Sequence, residues 1–183
     1  FIVSLGLGGS GCAPYLYSPV DTDEGEGQTW SAPENTWPVG SPPVGLVPEG
    51  FEVGEVVPDF LLVDQFANQV SLWQFYGKLI ALDVSTMWCS PCQELASHAQ
   101  ETFETYRDDG FIHVTLLPQD LGSDTPTVEE LNQWVDGFGL EVPVLADTDG
   151  RYSNPLVPDN VYPALLLINR DMTVRDVILP ATD

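Results

Sequence analysis

The sequence predicts an α/β domain with a central mixed β-sheet flanked by helices. Three observations carry this prediction: strand and helix patterns alternate from residue 79 to residue 145, one apolar run is too continuous to have a solvated face, and a closing strand pair follows. After Gly77-Lys78, the run Leu79 to Val84 has the length and near-continuous apolarity of a buried central strand. The next segment carries Leu95, Ala96, Ala99, Phe103 and Tyr106 at spacings that give one apolar helical side. Phe111 to Leu117 reads as a second strand. A second helix follows, with Val128, Leu131, Trp134, Val135 and Phe138 on one face. Thr127 and Glu130 stand at capping-box spacing at its start. Val142 to Leu145 is a short third strand, and Ala164–Ile168 and Val174–Leu179 flank residues 169–173 as a closing hairpin. Ahead of these, Phe60–Val63 and Gln69–Leu72 bracket residues 64–68 as an N-terminal hairpin.

Composition narrows the function. The 183 residues include 28 acidic and 5 basic ones, a net charge of −23. Such a surface repels nucleic acid and anionic lipid, so neither is an expected partner. Lys78, Arg107, Arg151, Arg170 and Arg175 are all the cations, so the first 77 residues have none. A hydrophobic content of 43% is enough for a packed core. No apolar run reaches the ~20 residues that a membrane-spanning helix needs.

The first 57 residues follow a different grammar. Residues 1–11 are apolar and then small, like the end of a secretory signal peptide, and Cys12 follows Gly9-Ser10-Gly11. That context resembles a bacterial lipoprotein site, with Gly9 as a departure, and makes Cys12 the candidate lipid attachment. Its alternative is a flexible tail with an idle thiol. Residues 12–57 are expected to form a disordered, acidic, Pro-rich tether: eight of the 16 prolines lie between Pro14 and Pro58. Trp30 and Trp37 are anomalous in a tether, and Trp37 is expected to dock on the domain, which spans 58–183.

Three cysteines make an odd count, and two of them form Trp88-Cys89-Ser90-Pro91-Cys92. Cys89 sits after the buried strand and before the first helix, which Ser90 is suited to cap and Pro91 to open. Its sulfur then faces free N–H groups and the positive end of the helix dipole, which stabilises thiolate. Cys92 falls inside the first turn, shielded. One exposed nucleophile and one resolving thiol are what disulfide exchange requires. Structural zinc needs four ligands, and the sequence has no second Cys pair and no paired His, so no metal is expected. His98 and His113 read as ordinary surface or packed residues.

Together these motifs give residues 58–179 a resemblance to the thioredoxin-like superfamily. The chain resembles in particular its extracytoplasmic TlpA/ResA-type branch, close to the AhpC/TSA redoxins. Pro58-Asp59-Phe60 and Ser71-Leu72…Gly77-Lys78 match the branch's N-terminal hairpin, Trp88-Cys89-x-Pro91-Cys92 its active-site turn, and Tyr162-Pro163 its proline opposite the disulfide. The resemblance implies a thioredoxin-like fold and a bacterial, extracytoplasmic thiol–disulfide oxidoreductase. It implies a redox-active Cys89–Cys92 disulfide and no other cofactor. Its partners would be disulfide-containing proteins and an upstream thiol donor, with membrane contact only through a lipid on Cys12. It makes Pro163 cis, with Trp88 and Tyr162 contacting substrate. It also singles out Asp83, six positions before Cys89, where thioredoxins hold a buried acid. A desolvated carboxylate there favours its neutral form and is suited to take the Cys92 proton near neutral pH. The alternative is an Asp at an exposed strand end. Departures from the branch are Ser97 in place of a kinking proline, Met172 in place of a turn glycine, no Lys beside Asp83 on the 111–117 strand, and no final helix.

Two rival functions share these residues. A peroxiredoxin-like peroxidase would use Thr86-x-x-Cys89, but Leu82 stands where that signature has proline. A copper-binding chaperone would use Cys89 and Cys92 with Met87 nearby, but the chain has no His after His113. The Ser-Pro dipeptide brings no cation between the cysteines, and the acidic surface disfavours thiolate, so exchange is expected to run as reduction of the partner.

Overall fold

The structure, a computed structural model, describes residues 30–157 and 160–179. Seven strands form one sheet: β1 (Leu61–Asp64), β2 (Gln69–Ser71), β3 (Leu79–Val84), β4 (Phe111–Leu117), β5 (Val144–Ala146), β6 (Ala164–Ile168) and β7 (Val174–Ile178). Their order is β2-β1-β5-β4-β3-β6-β7. β3, β4 and β5 run parallel, β1 and β6 join them antiparallel, and β2 and β7 pair antiparallel with β1 and β6, which makes the sheet mixed as expected. Parallel neighbours need a crossover. Helix α1 (Ser90–Tyr106) supplies it between β3 and β4, and α2 (Val128–Phe138) between β4 and β5. No helix among the described residues is long and apolar enough to cross a membrane.

Each central element forms for a local reason. Every residue of β4 is buried, and β3 is buried from Ile80 onward, which is why their sequences lack alternation. Thr127 caps α2: its Oγ1 accepts the Glu130 N–H while Glu130 Oε2 accepts the Thr127 N–H at 2.7 Å. Gly139, with φ +64°, ends the same helix in the left-handed region. The third parallel strand starts two residues later than expected, at Val144. Its predecessor Pro143 has no N–H for the ladder, though its carbonyl still accepts Thr115 N–H at 2.9 Å.

The expected tether needs correction over its described part. Residues 30–57 contain no strand or helix, as their prolines dictate, yet they lie against the domain as a strap. Trp30 Nε1–H donates to Ser71 Oγ at 3.2 Å and Asn35 Nδ2–H to the Gln69 carbonyl at 2.7 Å. Trp37 docks as expected, donating to Asp64 Oδ2 at 2.7 Å with its ring 5.8 Å from that of Phe66. Further along, Gly40 N–H reaches the Gln74 carbonyl at 2.6 Å. Gly54 N–H then donates to the Val174 carbonyl and Val174 N–H to that of Glu55, each at 2.8 Å, and Val56 bridges Thr173. The strap is held by individually placed side-chain and backbone bonds, which leave no periodic signature in the sequence. Residues 12–29 of the expected tether lie outside the described residues, as do Cys12 and the expected signal remnant at 1–11.

The closing hairpin turns at Met172, whose φ of +70° is a conformation that glycine adopts without cost. A methionine holds it because its side chain is fully buried in the core and its carbonyl accepts the Val57 N–H at 2.9 Å. Here packing offsets an unfavourable backbone geometry.

Candidate active site

The site forms where β3 delivers the chain to α1. Ser85 N–H donates to the Leu116 carbonyl and Met87 N–H to that of Gln119, each at 3.0 Å, so the strand extends into the turn before it breaks. Gln93 Nε2–H donates back to the Met87 carbonyl at 2.8 Å and closes the turn from the helix side. Cys89, rather than the expected Ser90, is the N-cap. It keeps extended backbone angles, and Sγ accepts the Cys92 N–H at 3.4 Å. Ser90 and Pro91 occupy the first two helical positions instead, where Pro loses no helical hydrogen bond. The capping atom is therefore the Cys89 sulfur, set at the positive end of a 17-residue helix.

Cys89 and Cys92 form a disulfide with Cα atoms 5.2 Å apart, within the usual span. The two sulfurs differ less in access than their sequence positions imply. Cys89 retains 6% of its exposure and Cys92 none, because neighbouring side chains shelter the turn. Trp88 is 44% exposed and meets Tyr162 edge-on at 5.9 Å, while its Nε1–H donates to Gln119 Oε1 at 2.9 Å. The Tyr162–Pro163 peptide is cis, and the Tyr162 carbonyl oxygen lies 3.8 Å from Cys89 Sγ. Burial, followed by the charge of Asp147, pushes the Tyr162 phenol above its usual range, so that hydroxyl stays neutral. Five of the residues singled out in the sequence thus meet here: Trp88, Cys89, Cys92, Tyr162 and Pro163.

Asp83 is fully buried, which removes the exposed-end alternative. Its Oδ1 accepts the Ser85 hydroxyl at 2.6 Å, and its Oδ2 lies 3.6 Å from Nε2 of His113. In sequence Asp83 has no lysine beside it on the neighbouring strand, and His113 reads as an ordinary residue. The strand starts carried the missing signal. β3 and β4 are parallel with Leu79 opposite Phe111, which sets Ala81 against His113 and Asp83 against Thr115. His113 therefore shares a sheet face with Asp83, one residue pair away from it. Among the described residues, no group of three His, Cys, Asp or Glu side chains is gathered to hold a metal ion.

Comparison with known proteins identifies the family. The AhpC/TSA family profile matches residues 53–177. The thiol-disulfide oxidoreductase ResA of Geobacillus kaustophilus is 28% identical over 128 residues, 69% of this chain and 68% of that protein. A structure from Chlorobium tepidum described as thiol:disulfide interchange protein DsbE superposes with a TM-score of 0.61 at 22% identity, covering 71% of this chain and 86% of the other. A secreted disulfide oxidoreductase of Mycobacterium tuberculosis superposes with a TM-score of 0.53 at 20% identity, covering 67% and 84%. The chain belongs to the AhpC/TSA family, as a thioredoxin-like redoxin of the TlpA/ResA type and a thiol–disulfide oxidoreductase.

Proposed function

We propose that this chain reduces disulfides of extracytoplasmic proteins, with Cys89 as the attacking sulfur and Cys92 as the resolving one. The observation that carries the reading is the cap geometry: Cys89 Sγ receives the Cys92 N–H at the start of α1. A thiolate in that position is stabilised by the helix end, whereas Cys92, fully buried, remains a thiol until resolution. The Tyr162 carbonyl beside Cys89 is free to pair with a substrate backbone, and Trp88 offers an exposed aromatic surface next to it. Asp83 accepts the Cys92 proton as the mixed disulfide resolves. The cysteine pair is itself the redox group, so the reaction needs no further cofactor. Reduction of the partner is favoured because Ser90-Pro91 brings no cation to the sulfurs and the chain carries a net charge of −23. An upstream thiol donor returns the pair to the dithiol. Cys12 anchors the chain on the outer side of a bacterial membrane through a lipid, a reading supported by the sequence pattern alone.

Trapping tests the assignment. Cys92→Ser should accumulate mixed disulfides through Cys89, visible on non-reducing gels and by mass spectrometry, whereas Cys89→Ser should not. Equal trapping by both variants would overturn the assignment of roles.

A further inference from the structure

His113 is 3% exposed, the only titratable side chain on β4, and unused by the chemistry described so far. Its Nε2 and Asp83 Oδ2 are both buried, both without a hydrogen-bond partner, and 3.6 Å apart. Two buried polar atoms facing each other across slightly more than a hydrogen bond need only a small ring movement to share a proton.

The His113 ring also lines a cavity of about 390 Å³ between α1 and the face of β3, β4 and β6. The register gives this cavity a direction. It reaches from Ala81 and His113 back to Leu79 and Phe111, the starts of their strands, whereas Cys89 lies beyond their ends. Exposed His98 and Tyr106 of α1, Asp109 beyond that helix, and Arg170 of the β6–β7 turn line it as well. The cavity thus runs away from the turn that a bound substrate covers.

We propose that His113 is a positioning and proton-relay residue for Asp83, passing the proton taken from Cys92 into the cavity beneath α1. This rests on the reading of Asp83 as the acceptor. In the resolving step the Cys92 thiol gives its proton to the Asp83 carboxylate, and the Cys92 sulfur attacks Cys89 Sγ. The Cys89–Cys92 bond forms, and the bond from Cys89 to the substrate sulfur breaks with its electron pair on that sulfur. The two cysteines are oxidised and the substrate disulfide is reduced. The Asp83 proton then moves to His113 Nε2, and the imidazolium releases it to solvent through the cavity. Such a route keeps working while substrate occupies the Cys89 side. The charged and titratable groups facing His113 are Asp83 from β3, His98 and Tyr106 from α1, Asp109, and Arg170.

The test uses the reduced full chain and dithiobis(nitrobenzoate), which releases one coloured thiolate on attack by Cys89 and a second on resolution by Cys92. His113→Gln should leave the first phase unchanged. It should slow the second about tenfold, because the proton taken up by Asp83 then loses the group that carries it onward. In an Asp83→Asn background, His113→Gln should change nothing further. A second phase in His113→Gln that superposes on the wild type, or an equal slowing in the Asp83→Asn background, would overturn the proposal. Loss of the first phase in the unmutated protein would instead refute the exchange reading, and an unaltered second phase in Asp83→Asn the acceptor role. Should His113→Gln not fold, imidazole NMR of the oxidised chain decides, since it has only two histidines. The His113 Nε2 must then show a proton shared with Asp83 that Asp83→Asn removes; a nitrogen resonance indifferent to that change overturns the relay.

Discussion

Trp37→Phe removes the bond that secures the middle of the strap. In the native protein Trp37 Nε1–H donates to Asp64 Oδ2 at 2.7 Å. Asp64 is fully buried, and its Oδ1 already accepts the Phe66 and Asn68 N–H groups at 2.9 and 2.8 Å. Phenylalanine keeps an aromatic ring against Phe66 and removes the donor together with the second ring of the indole. A hydrogen bond to a charged group contributes about 1.5–3 kcal/mol. Because Trp37 is half-buried, water partly replaces the lost donor, and we expect a loss of about 1–2 kcal/mol. For a chain of this size that lowers the melting temperature by roughly 2–8 °C. Urea and thermal unfolding of the full chain, followed by circular dichroism, measure it. A loss below about 0.5 kcal/mol, within the range of ordinary surface substitutions, would refute the claim that this bond holds the strap to the domain.

Gly40→Ala should loosen the same strap differently, because a Cβ there overlaps the Tyr76 carbonyl and displaces the Gly40 N–H from Gln74. We expect a loss of about 1–3 kcal/mol in urea unfolding, and an unchanged stability would show that the strap yields freely. Asp147 gives a pH signature. Burial raises its carboxyl above the usual range, against the opposing bonds from Ser153 and Tyr152. The native state therefore binds this proton more tightly than the unfolded one, and the group adds stability as pH falls through its raised value. The stability of the wild type relative to Asp147→Asn should rise between pH 7 and about pH 4, and a difference that is flat or reversed refutes the burial argument.

Elements whose formation depends on their own residues were readable in advance. β3 and β4 announce themselves by apolar runs that only a doubly covered strand tolerates, and α2 by its capping box and one-sided face. The active-site turn was readable too, because Trp88-Cys89-Ser90-Pro91-Cys92 fixes a helix start by local chemistry. What escaped depended on distant partners. The strap's anchors, Trp30 to Ser71 and Trp37 to Asp64, join positions 41 and 27 residues apart, with no pattern inside the segment itself. His113 gained its meaning only once β4 was set beside β3 in register. The cap fell on Cys89 rather than Ser90 because a sulfur can accept the N–H that sequence preference assigns to an oxygen.

The path of the strap has a consequence for solubility. An open sheet offers unpaired N–H and C=O groups along its two outermost strands, a template on which other chains can assemble. Here those strands are β2 and β7, and the same 28-residue segment reaches both, through Asn35 at Gln69 and through Gly54 to Val56 at Thr173 and Val174. Its acidic residues and prolines suit that duty, since neither readily extends a sheet by another strand. Cutting the chain at residue 57 would therefore do more than shorten it: the contacts at both edges would be lost in a single step, and the remaining domain would be more prone to assemble edge to edge.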